Sequence, residues 1–400
     1  MASKQKPRPS ASPKILDWVS LIALFPLFVT RWSISFLFSN HKPLRWRQKC
    51  ALTFLRTQRT TFPAPLLRWL IRRVSTGTTI RDYCSKHNIT HRTITLPVSA
   101  TDIYDEILPP GVLHVLTLQS DEAAAPTLLY FHGGGFVNPL RTPHMPFIVS
   151  CGHAARAKQI IILEYSLAPE HPYPSQLIQC VASVSHLMSE SSGLGIPSKD
   201  IILAGDSAGG TLVGSVLSHM QKPSPYASKL PVVEFRAAVM ISPFVRLHKE
   251  SMDAPGGSYR VNEKRDYLTR RQVDEFGEAW KGDDKEIWAN LCGADGAETV
   301  WQAVFRGKGG PKLVKKVLIT VGTAEVFLDD CRFFGGELHT NSATVIAKQS
   351  NNDWLDKLGD GERILVECEG EAHVQPVLDA ALGYKEGVMT RAVMTWLNML

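Results

Sequence analysis

The sequence predicts an α/β protein with a mostly parallel central sheet, helices on both faces, a helical cap and an N-terminal membrane anchor. Two patterns support this fold class. Short aliphatic runs alternate with helical stretches over residues 93–400, which is typical of a parallel sheet built from β-α units. Residues 15–39 are largely apolar and long enough to cross a bilayer of roughly 30 Å. A chain of 400 residues, 44% of them hydrophobic, fits one large domain with additions.

The chain begins with a polar segment that is followed by an apolar one. Residues 1–14 contain four basic residues and no acid, and they are predicted to be a disordered basic tail. Residues 15–39 are predicted to be a single-pass transmembrane anchor. Because Asp17 and Arg31 interrupt the apolar run, an interfacial helix, a signal peptide and a buried helix are the alternatives. The Asn-Ile-Thr pattern at Asn88 is a glycosylation acceptor and favours a lumenal body.

Residues 40–92 are predicted to form basic amphipathic helices that break near Pro63 and Pro65. Leucine and tryptophan residues are mixed with seven arginines over residues 44–74. Residues 1–92 hold 17 basic and two acidic residues, whereas the rest of the chain holds 27 basic and 36 acidic. This mixture favours a membrane surface, rather than nucleic acid, as the partner of the N-terminal region. Packing on the body as a lid is the alternative interpretation of these helices.

Eight apolar or β-branched runs are predicted to be the strands of the sheet. They cover residues 93–98, 112–118, 127–131, 160–164, 201–204, 237–241, 316–321 and 363–367, and the last two of these runs are predicted to be the last two strands of the chain. Helices are predicted over residues 175–188, 211–220 and 386–400. Residues 246–310 depart from this alternation and are predicted to be a helical cap over the carboxyl edge of the sheet. The cap is an insertion in a single domain over residues 93–400.

A serine lies in a short glycine-containing turn between a predicted strand and a predicted helix. Residues 205–209 read Gly-Asp-Ser-Ala-Gly and directly follow the buried run at residues 201–204. A strand, a sharp turn and a helix form the nucleophile elbow, in which the serine hydroxyl stands clear of the sheet at a helix N-terminus. We therefore predict that Ser207 is a catalytic nucleophile. An ordinary tight β-α turn is the alternative.

A glycine triplet follows the strand predicted at residues 127–131. Residues 132–135 read His-Gly-Gly-Gly, and the absence of Cβ atoms lets such a backbone approach a substrate oxygen. The N–H groups of Gly133 and Gly134, together with that of Ala208 after the serine, are predicted to form the oxyanion hole.

The base and its orienting acid are expected after the last strands, because the chain order in such sites is serine, acid, histidine. His373 follows the last predicted strand and is the predicted base. Glu325 follows the strand before it and is the predicted acid, with Asp329 and Asp330 as alternatives.

Together, these motifs resemble the hormone-sensitive-lipase-like branch of the α/β-hydrolases, which includes arylacetamide deacetylase and fungal steryl acetyl hydrolases. The resemblance covers residues 93–400 and includes the Tyr-to-Pro segment at residues 165–174. It implies the α/β-hydrolase fold. The family's site residues fall on matching positions of this chain, with the nucleophile at Ser207, the base at His373 and the oxyanion glycines at Gly133 and Gly134. The family's acid is usually Asp, so Glu325 departs from the pattern.

The sequence and the resemblance together predict a membrane-anchored serine carboxylesterase or deacetylase. Its expected substrates are short-acyl esters, above all acetyl esters, of apolar alcohols such as sterols or terpenoids. No cofactor or metal is expected, because the seven cysteines show no metal-ligand spacing. The resemblance also implies the endoplasmic reticulum membrane as the location.

Two other functions remain as alternatives on the same fold. Amide or lactone hydrolysis would use the same triad. A non-catalytic ligand-binding homologue would resemble the gibberellin receptors, which lack the catalytic histidine, and the presence of His373 argues against it.

Overall fold

The computed structural model describes residues 14–39, 43–97, 101, 104, 107–118, 125–191, 193–247, 252–306, 312–337, 343–359 and 361–400. Except for Lys14, the predicted basic tail lies outside these residues. Two parts of the predicted cap, residues 248–251 and 307–310, lie outside them as well.

Within the described residues, nine strands form one sheet at the centre of the protein. They are β1 (Thr90–Thr95), β2 (Val112–Thr117), β3 (Thr127–Phe131), β4 (Gln159–Glu164), β5 (Ile201–Asp206), β6 (Phe235–Ile241), β7 (Val314–Gly322), β8 (Ala343–Ala347) and β9 (Arg363–Cys368). Their order across the sheet is β1-β2-β4-β3-β5-β6-β7-β9-β8. The pairs β1-β2 and β2-β4 are antiparallel, and the other neighbouring pairs are parallel. The predicted mostly parallel sheet is therefore confirmed.

Each of the eight predicted runs overlaps a strand, and the boundaries within the described residues differ by at most three residues. The prediction that residues 316–321 and 363–367 form the last two strands of the chain is wrong, because β8 lies between β7 and β9 in the chain and outside β9 in the sheet. This edge strand buries only alternate residues, Val345 and Ala347. An edge strand that covers one face has no continuous apolar run from which to predict it.

Helices cover both faces of the sheet, as predicted. They are α1 (Ile15–Phe38), α2 (Trp46–Thr61), α3 (Ala64–Arg72), α4 (Thr76–Lys86), α5 (His144–Ala154), α6 (Ser175–Met188), α7 (Ala208–Gln221), α8 (Ser258–Val261), α9 (Arg270–Trp280), α10 (Ala297–Arg306), α11 (Leu328–Arg332), α12 (Gln375–Ala381) and α13 (Val388–Asn398). Alternate residues of β3 face opposite cores. Leu129 and Phe131 belong to the core that includes α6 and α7. Leu128 and Tyr130 belong to the core that includes α5 and α13.

The segment predicted as a cap contains α8, α9 and α10. Its three tryptophans, Trp280, Trp288 and Trp301, are buried and belong to the same hydrophobic core as α6 and α7. The segment is thus packed onto the body of the protein by large apolar side chains.

The N-terminal helix α1 packs on α2 and α3. Phe28 of α1 meets Phe54 of α2 with ring centroids 5.4 Å apart, and Trp18 meets Trp69 of α3 at 5.3 Å. The opposite side of α1 exposes large apolar residues, among them Ile22 with 78% of its surface exposed. By length and composition alone, α1 satisfies the requirements for a membrane span, with a mean hydropathy of 1.8 over its most apolar window.

Candidate active site

Ser207 lies at the junction of β5 and α7. Its backbone has a φ of 52° and a ψ of −119°, a conformation that residues other than glycine rarely adopt. Its N–H donates to the carbonyl oxygen of Ile241 at 2.8 Å. A Cβ atom at position 209 would lie 1.9 Å from the carbonyl oxygen of Phe131, so Gly209 is required where α7 approaches β3. This geometry holds the serine side chain at the carboxyl edge of the sheet.

His373 follows β9 and meets Ser207 across 166 residues of sequence, with its Nε2 atom 2.9 Å from the serine Oγ atom. The histidine is buried. Its ring packs edge-on against Phe327, at a centroid distance of 4.9 Å. Val374 has a φ of 44° and turns the chain directly after the histidine. A neutral imidazole in this position can accept the proton of the serine hydroxyl.

Glu325 is fully buried and lies behind the histidine. Its Oε2 atom is 3.9 Å from His373 Nδ1, which is longer than a hydrogen bond. The same oxygen accepts a hydrogen bond from the Ser242 hydroxyl at 2.7 Å. Among the described residues, Glu325 Oε1 and His373 Nδ1 are both buried without a hydrogen-bond partner. Catalytic hydrogen bonds are often long before substrate binds, and a shift of about 1 Å would close this one.

The two alternative acids lie elsewhere. Asp329 accepts a hydrogen bond from the Ser258 N–H at 2.7 Å and forms an ion pair with Arg332 at 3.6 Å. Asp330 lies near Tyr259, where burial first and the charge of Asp330 second raise the pKa of the phenol. Of the three predicted acids, the structure therefore brings Glu325 to the histidine.

The predicted oxyanion donor Gly133 does not face the substrate side. Its N–H donates to Asp206 Oδ1 at 3.0 Å, so the prediction for this residue is wrong. The physical reason is that the Asp206 carboxylate already accepts this N–H, and position 133 is a glycine because a Cβ atom there would lie 2.2 Å from Asp206 Oδ2. The two following glycines, Gly134 and Gly135, line the cavity, as does Ala208. Gly134, Gly135 and Ala208 are therefore the candidates for the oxyanion donors.

Asp206, inside the elbow motif, holds the glycine loop in place. Its Oδ1 atom accepts hydrogen bonds from the Tyr130 hydroxyl at 2.8 Å and from the Gly133 N–H. His144 Nε2 lies 3.5 Å from Oδ2. Burial favours a raised pKa, but the charge of His144 and these hydrogen bonds lower the pKa of Asp206 below its ordinary value. The sequence contains no signal for this role, because position 206 is a variable position of the glycine–serine motif.

The candidate catalytic residues open into an apolar cavity of about 540 Å³. Its apolar lining comes from three helical regions and includes Phe54, Leu55, Leu67, Leu70 and Ile71 of α2 and α3, Val273, Phe276 and Trp280 of α9, and Val377 and Leu378 of α12. Phe136, next to the glycine loop, stacks on Trp280 with ring centroids 3.8 Å apart. The volume and lining are typical of a site for one small apolar molecule. The N-terminal helices α2 and α3 form one wall of this cavity.

Other reactive side chains are dispersed. Within the described residues, no group of three or more His, Cys, Asp or Glu side chains is arranged to hold a metal ion. All seven cysteines are free thiols, and all but Cys50 are buried. Burial raises the pKa of Cys84 to about 11, so this thiol stays protonated near neutral pH.

The sheet order, the strained serine between β5 and α7, and the serine–histidine contact define the class of α/β hydrolases. A family profile described as "alpha/beta hydrolase fold" matches residues 128–354, which is more than half of the chain. The chain belongs to this family, and the fold predicted from the sequence is confirmed.

Curated relatives include lipases and a steryl acetyl hydrolase homologue. "Lipase 2" of Moraxella sp. (strain TA144) is 38% identical over 105 residues, which cover 26% of this chain and 23% of the relative. Hormone-sensitive lipase of Homo sapiens is 40% identical over 89 residues, covering 22% and 8%. "Putative steryl acetyl hydrolase mug81" of Schizosaccharomyces pombe is 24% identical over 271 residues, covering 65% of each chain. The chain therefore spans less than a third of the first two relatives, and the predicted resemblance to this branch is confirmed.

Solved structures with the same architecture are also named esterases. A thermostable esterase from Pseudomonas putida ECU1011 has a TM-score of 0.60 at 16% identity, covering 90% of this chain and 97% of that chain. Carboxyl esterase 2 from Tuber melanosporum has a TM-score of 0.56 at 21% identity, covering 78% and 86%. At these identities, the likeness shows the shared fold. The names agree with the predicted class of serine carboxylic ester hydrolases.

Proposed function

We propose that this protein is a membrane-associated serine carboxylic ester hydrolase that removes short acyl groups, above all acetyl, from apolar alcohols. The observation that carries the proposal is the 2.9 Å contact between Ser207 Oγ and His373 Nε2. Both residues line an apolar cavity. A serine hydroxyl hydrogen-bonded to an imidazole is the arrangement of an activated nucleophile. The lipases among the relatives support the same class.

In the proposed mechanism, Ser207 Oγ attacks the ester carbonyl carbon while His373 Nε2 takes the hydroxyl proton. The N–H groups of Gly134, Gly135 and Ala208 stabilise the oxyanion. The imidazolium then gives its proton to the leaving alcohol, and an acyl-serine remains. Water attacks this acyl-serine with His373 again as the base, which releases the carboxylic acid and restores the serine. Glu325 orients the imidazole and stabilises its positive charge.

An apolar alcohol, such as a sterol or a terpenoid, is the proposed leaving group. The aliphatic and aromatic side chains of α2, α3 and α9 that line the cavity favour burial of apolar surface. The relative from Schizosaccharomyces pombe, which covers 65% of this chain, is named for steryl acetyl hydrolysis. The preference for a short acyl group follows from the same resemblance.

Membrane association is proposed to occur through α1, whose outward face exposes large apolar residues. The basic residues of α2 and α3 would favour contact with anionic lipid headgroups. The single-pass topology, the endoplasmic reticulum location and the lumenal body stay predictions. A glycosidase-sensitive mass shift that is lost in Asn88→Gln would support the lumenal orientation. Release of the full chain from membranes by alkaline carbonate would contradict a membrane span.

The full-length protein in detergent tests the activity. We expect hydrolysis of p-nitrophenyl acetate, labelling by a fluorophosphonate probe, and loss of more than about 10³-fold in kcat in Ser207→Ala. Ser150→Ala is the matched control, because Ser150 is an exposed serine of α5 that bonds within its own helix. Wild-type turnover in Ser207→Ala would refute the proposal, and an unlabelled wild-type protein would indicate a ligand-binding homologue. Matched esters and amides, with a lactone alongside, would separate esterase from amidase and lactonase activity.

A further inference from the structure

Asp266 is a buried carboxylate, 1% exposed, in the segment between α8 and α9. Its Oδ2 atom accepts a hydrogen bond from the Val326 N–H at 2.9 Å. Its Oδ1 atom accepts from the His373 N–H at 3.3 Å and from the Leu268 N–H at 3.2 Å. Val326 directly follows Glu325 in the chain. One side chain of the cap segment therefore contacts the backbone of both loops that carry the proposed acid and base.

Asn262, four residues earlier, makes a second link to the acid loop. It is buried, and its Nδ2 atom donates to the carbonyl oxygens of Thr323 at 3.2 Å and Glu325 at 2.8 Å. The Asp266 N–H donates to the Asn262 carbonyl oxygen at 2.9 Å, so both residues belong to one hydrogen-bonded turn. The cap segment is thus hydrogen-bonded to the loop on either side of Glu325.

Asp266 also interacts electrostatically with His373. Burial raises the pKa of Asp266 to about 6, while the charge of His373 acts to lower it and that of Glu325 to raise it. A pKa of about 6 leaves the carboxylate mostly ionised at pH 7, and the three backbone N–H donors favour this form. Within the part of the chain that the structure describes, Arg56, Arg59 and Tyr267 also interact electrostatically with Asp266. The imidazolium that forms during catalysis would have two carboxylates near it, Glu325 and Asp266.

We propose that Asp266 is a positioning residue, which fixes the backbone of His373 and Val326 from the cap so that the imidazole stays within reach of Ser207. This inference rests on the proposed function. Hydrogen bonds from backbone N–H groups to an ionised carboxylate are about twice as strong as neutral ones. A displacement of about 1 Å at a catalytic group can reduce the rate about 10²-fold. The cap would therefore hold the base in place as well as line the cavity.

Asp266→Asn in the full-length protein tests this role, because it keeps the side-chain size but removes the charge and presents an NH₂ group to one of the backbone N–H donors. With p-nitrophenyl acetate, we expect kcat to fall about 10²-fold at unchanged KM. The rise of kcat/KM with pH should move to lower pH, since the imidazolium loses a negative neighbour. The control is Asp253→Asn, the same change at an exposed aspartate of the cap segment that pairs with Arg270 at 2.6 Å. This variant should keep the wild-type kcat and the wild-type pH profile.

Wild-type kcat with an unmoved pH profile in Asp266→Asn would overturn the inference. If circular dichroism shows that this variant does not fold, Asp266→Glu takes its place. That variant keeps the charge, so we expect an unmoved pH profile with a lower kcat, and wild-type kcat would overturn the inference. Ser207→Ala measured in parallel separates the two proposals. Activity that survives Ser207→Ala refutes the proposed function, whereas serine-dependent activity that is indifferent to Asp266→Asn refutes only the positioning role.

Discussion

Replacing Glu325 by Gln tests how far the reaction depends on a negative charge behind the histidine. The substitution keeps the side-chain length and an oxygen that can accept the hydrogen bond from the Ser242 hydroxyl. It removes the charge that lies 3.9 Å from His373 Nδ1. Because Glu325 is fully buried, the loss of charge is the main change that the site experiences.

The expected magnitude follows from Coulomb's law. At the 3.9 Å separation and an effective dielectric constant of about 20, a carboxylate stabilises an imidazolium by about 4 kcal/mol. A tenfold change in rate corresponds to about 1.4 kcal/mol, so kcat should fall roughly 10³-fold. KM should stay near the wild-type value, because the removed charge acts on the imidazolium that forms in the transition state.

Steady-state hydrolysis of p-nitrophenyl acetate measures both constants. The control is Asp329→Asn, which removes a charge from the same loop at a side chain bound to Ser258 and Arg332, and it should change kcat little. A Glu325→Gln variant whose kcat is reduced less than about tenfold would refute the Coulomb argument. If Asp329→Asn were the more damaging change, Asp329 would be the acid instead.

Two further changes probe the support of the site and its pH dependence. Gly133→Ala places a Cβ atom 2.2 Å from Asp206 Oδ2, so we expect a lower melting temperature and about 10²-fold lower kcat. Gly336→Ala is its control, since a Cβ atom there meets nothing within 4 Å, and equal losses in both variants would contradict the argument. Burial first, and Asp379 second, raise the pKa of Glu371 to about 8. Because an unfolded carboxyl group has a pKa of about 4.3, the folded protein binds this proton more tightly, and the free energy of unfolding should fall as pH rises from about 4.3 to 8. Glu371→Gln should flatten that fall in thermal denaturation, and parallel curves for the variant and the wild type would show that another group is responsible.

The central strands could be predicted because both of their faces are buried. Every residue of β3 and β5 is buried, and such strands appear in the sequence as continuous apolar runs. The edge strand β8 buries only one face and leaves no comparable pattern. The other edge strand, β1, overlaps a predicted run but begins three residues before it, so the prediction is least accurate at the edges of the sheet.

The candidate site could be predicted where its chemistry lies in a local motif. Ser207 is marked by its strand–turn–helix context, and His373 by its place after the last strand. The glycine motif predicts an oxyanion loop but not which N–H groups face the cavity. That choice depends on the carboxylate of Asp206, which accepts the Gly133 N–H and so leaves Gly134 and Gly135 on the cavity side. The selecting contact spans 73 residues and has no local sequence signature.

The elements around the cavity are also held by contacts between residues far apart in the sequence, which no local motif predicts. These contacts affect how the protein would select substrates. Asp266 reaches His373 across 107 residues, and Gln48 of α2 reaches Asp379 of α12 across 331 residues. The helices that line the cavity are thus attached, through buried polar contacts, to the segments that carry or flank the proposed base. A change in the cap or in α2 that alters the fit of the alcohol would also displace the imidazole. Substitutions of the cavity-lining side chains of these elements should therefore affect kcat together with KM, because the helices that fit the alcohol are attached to the segments that position the base.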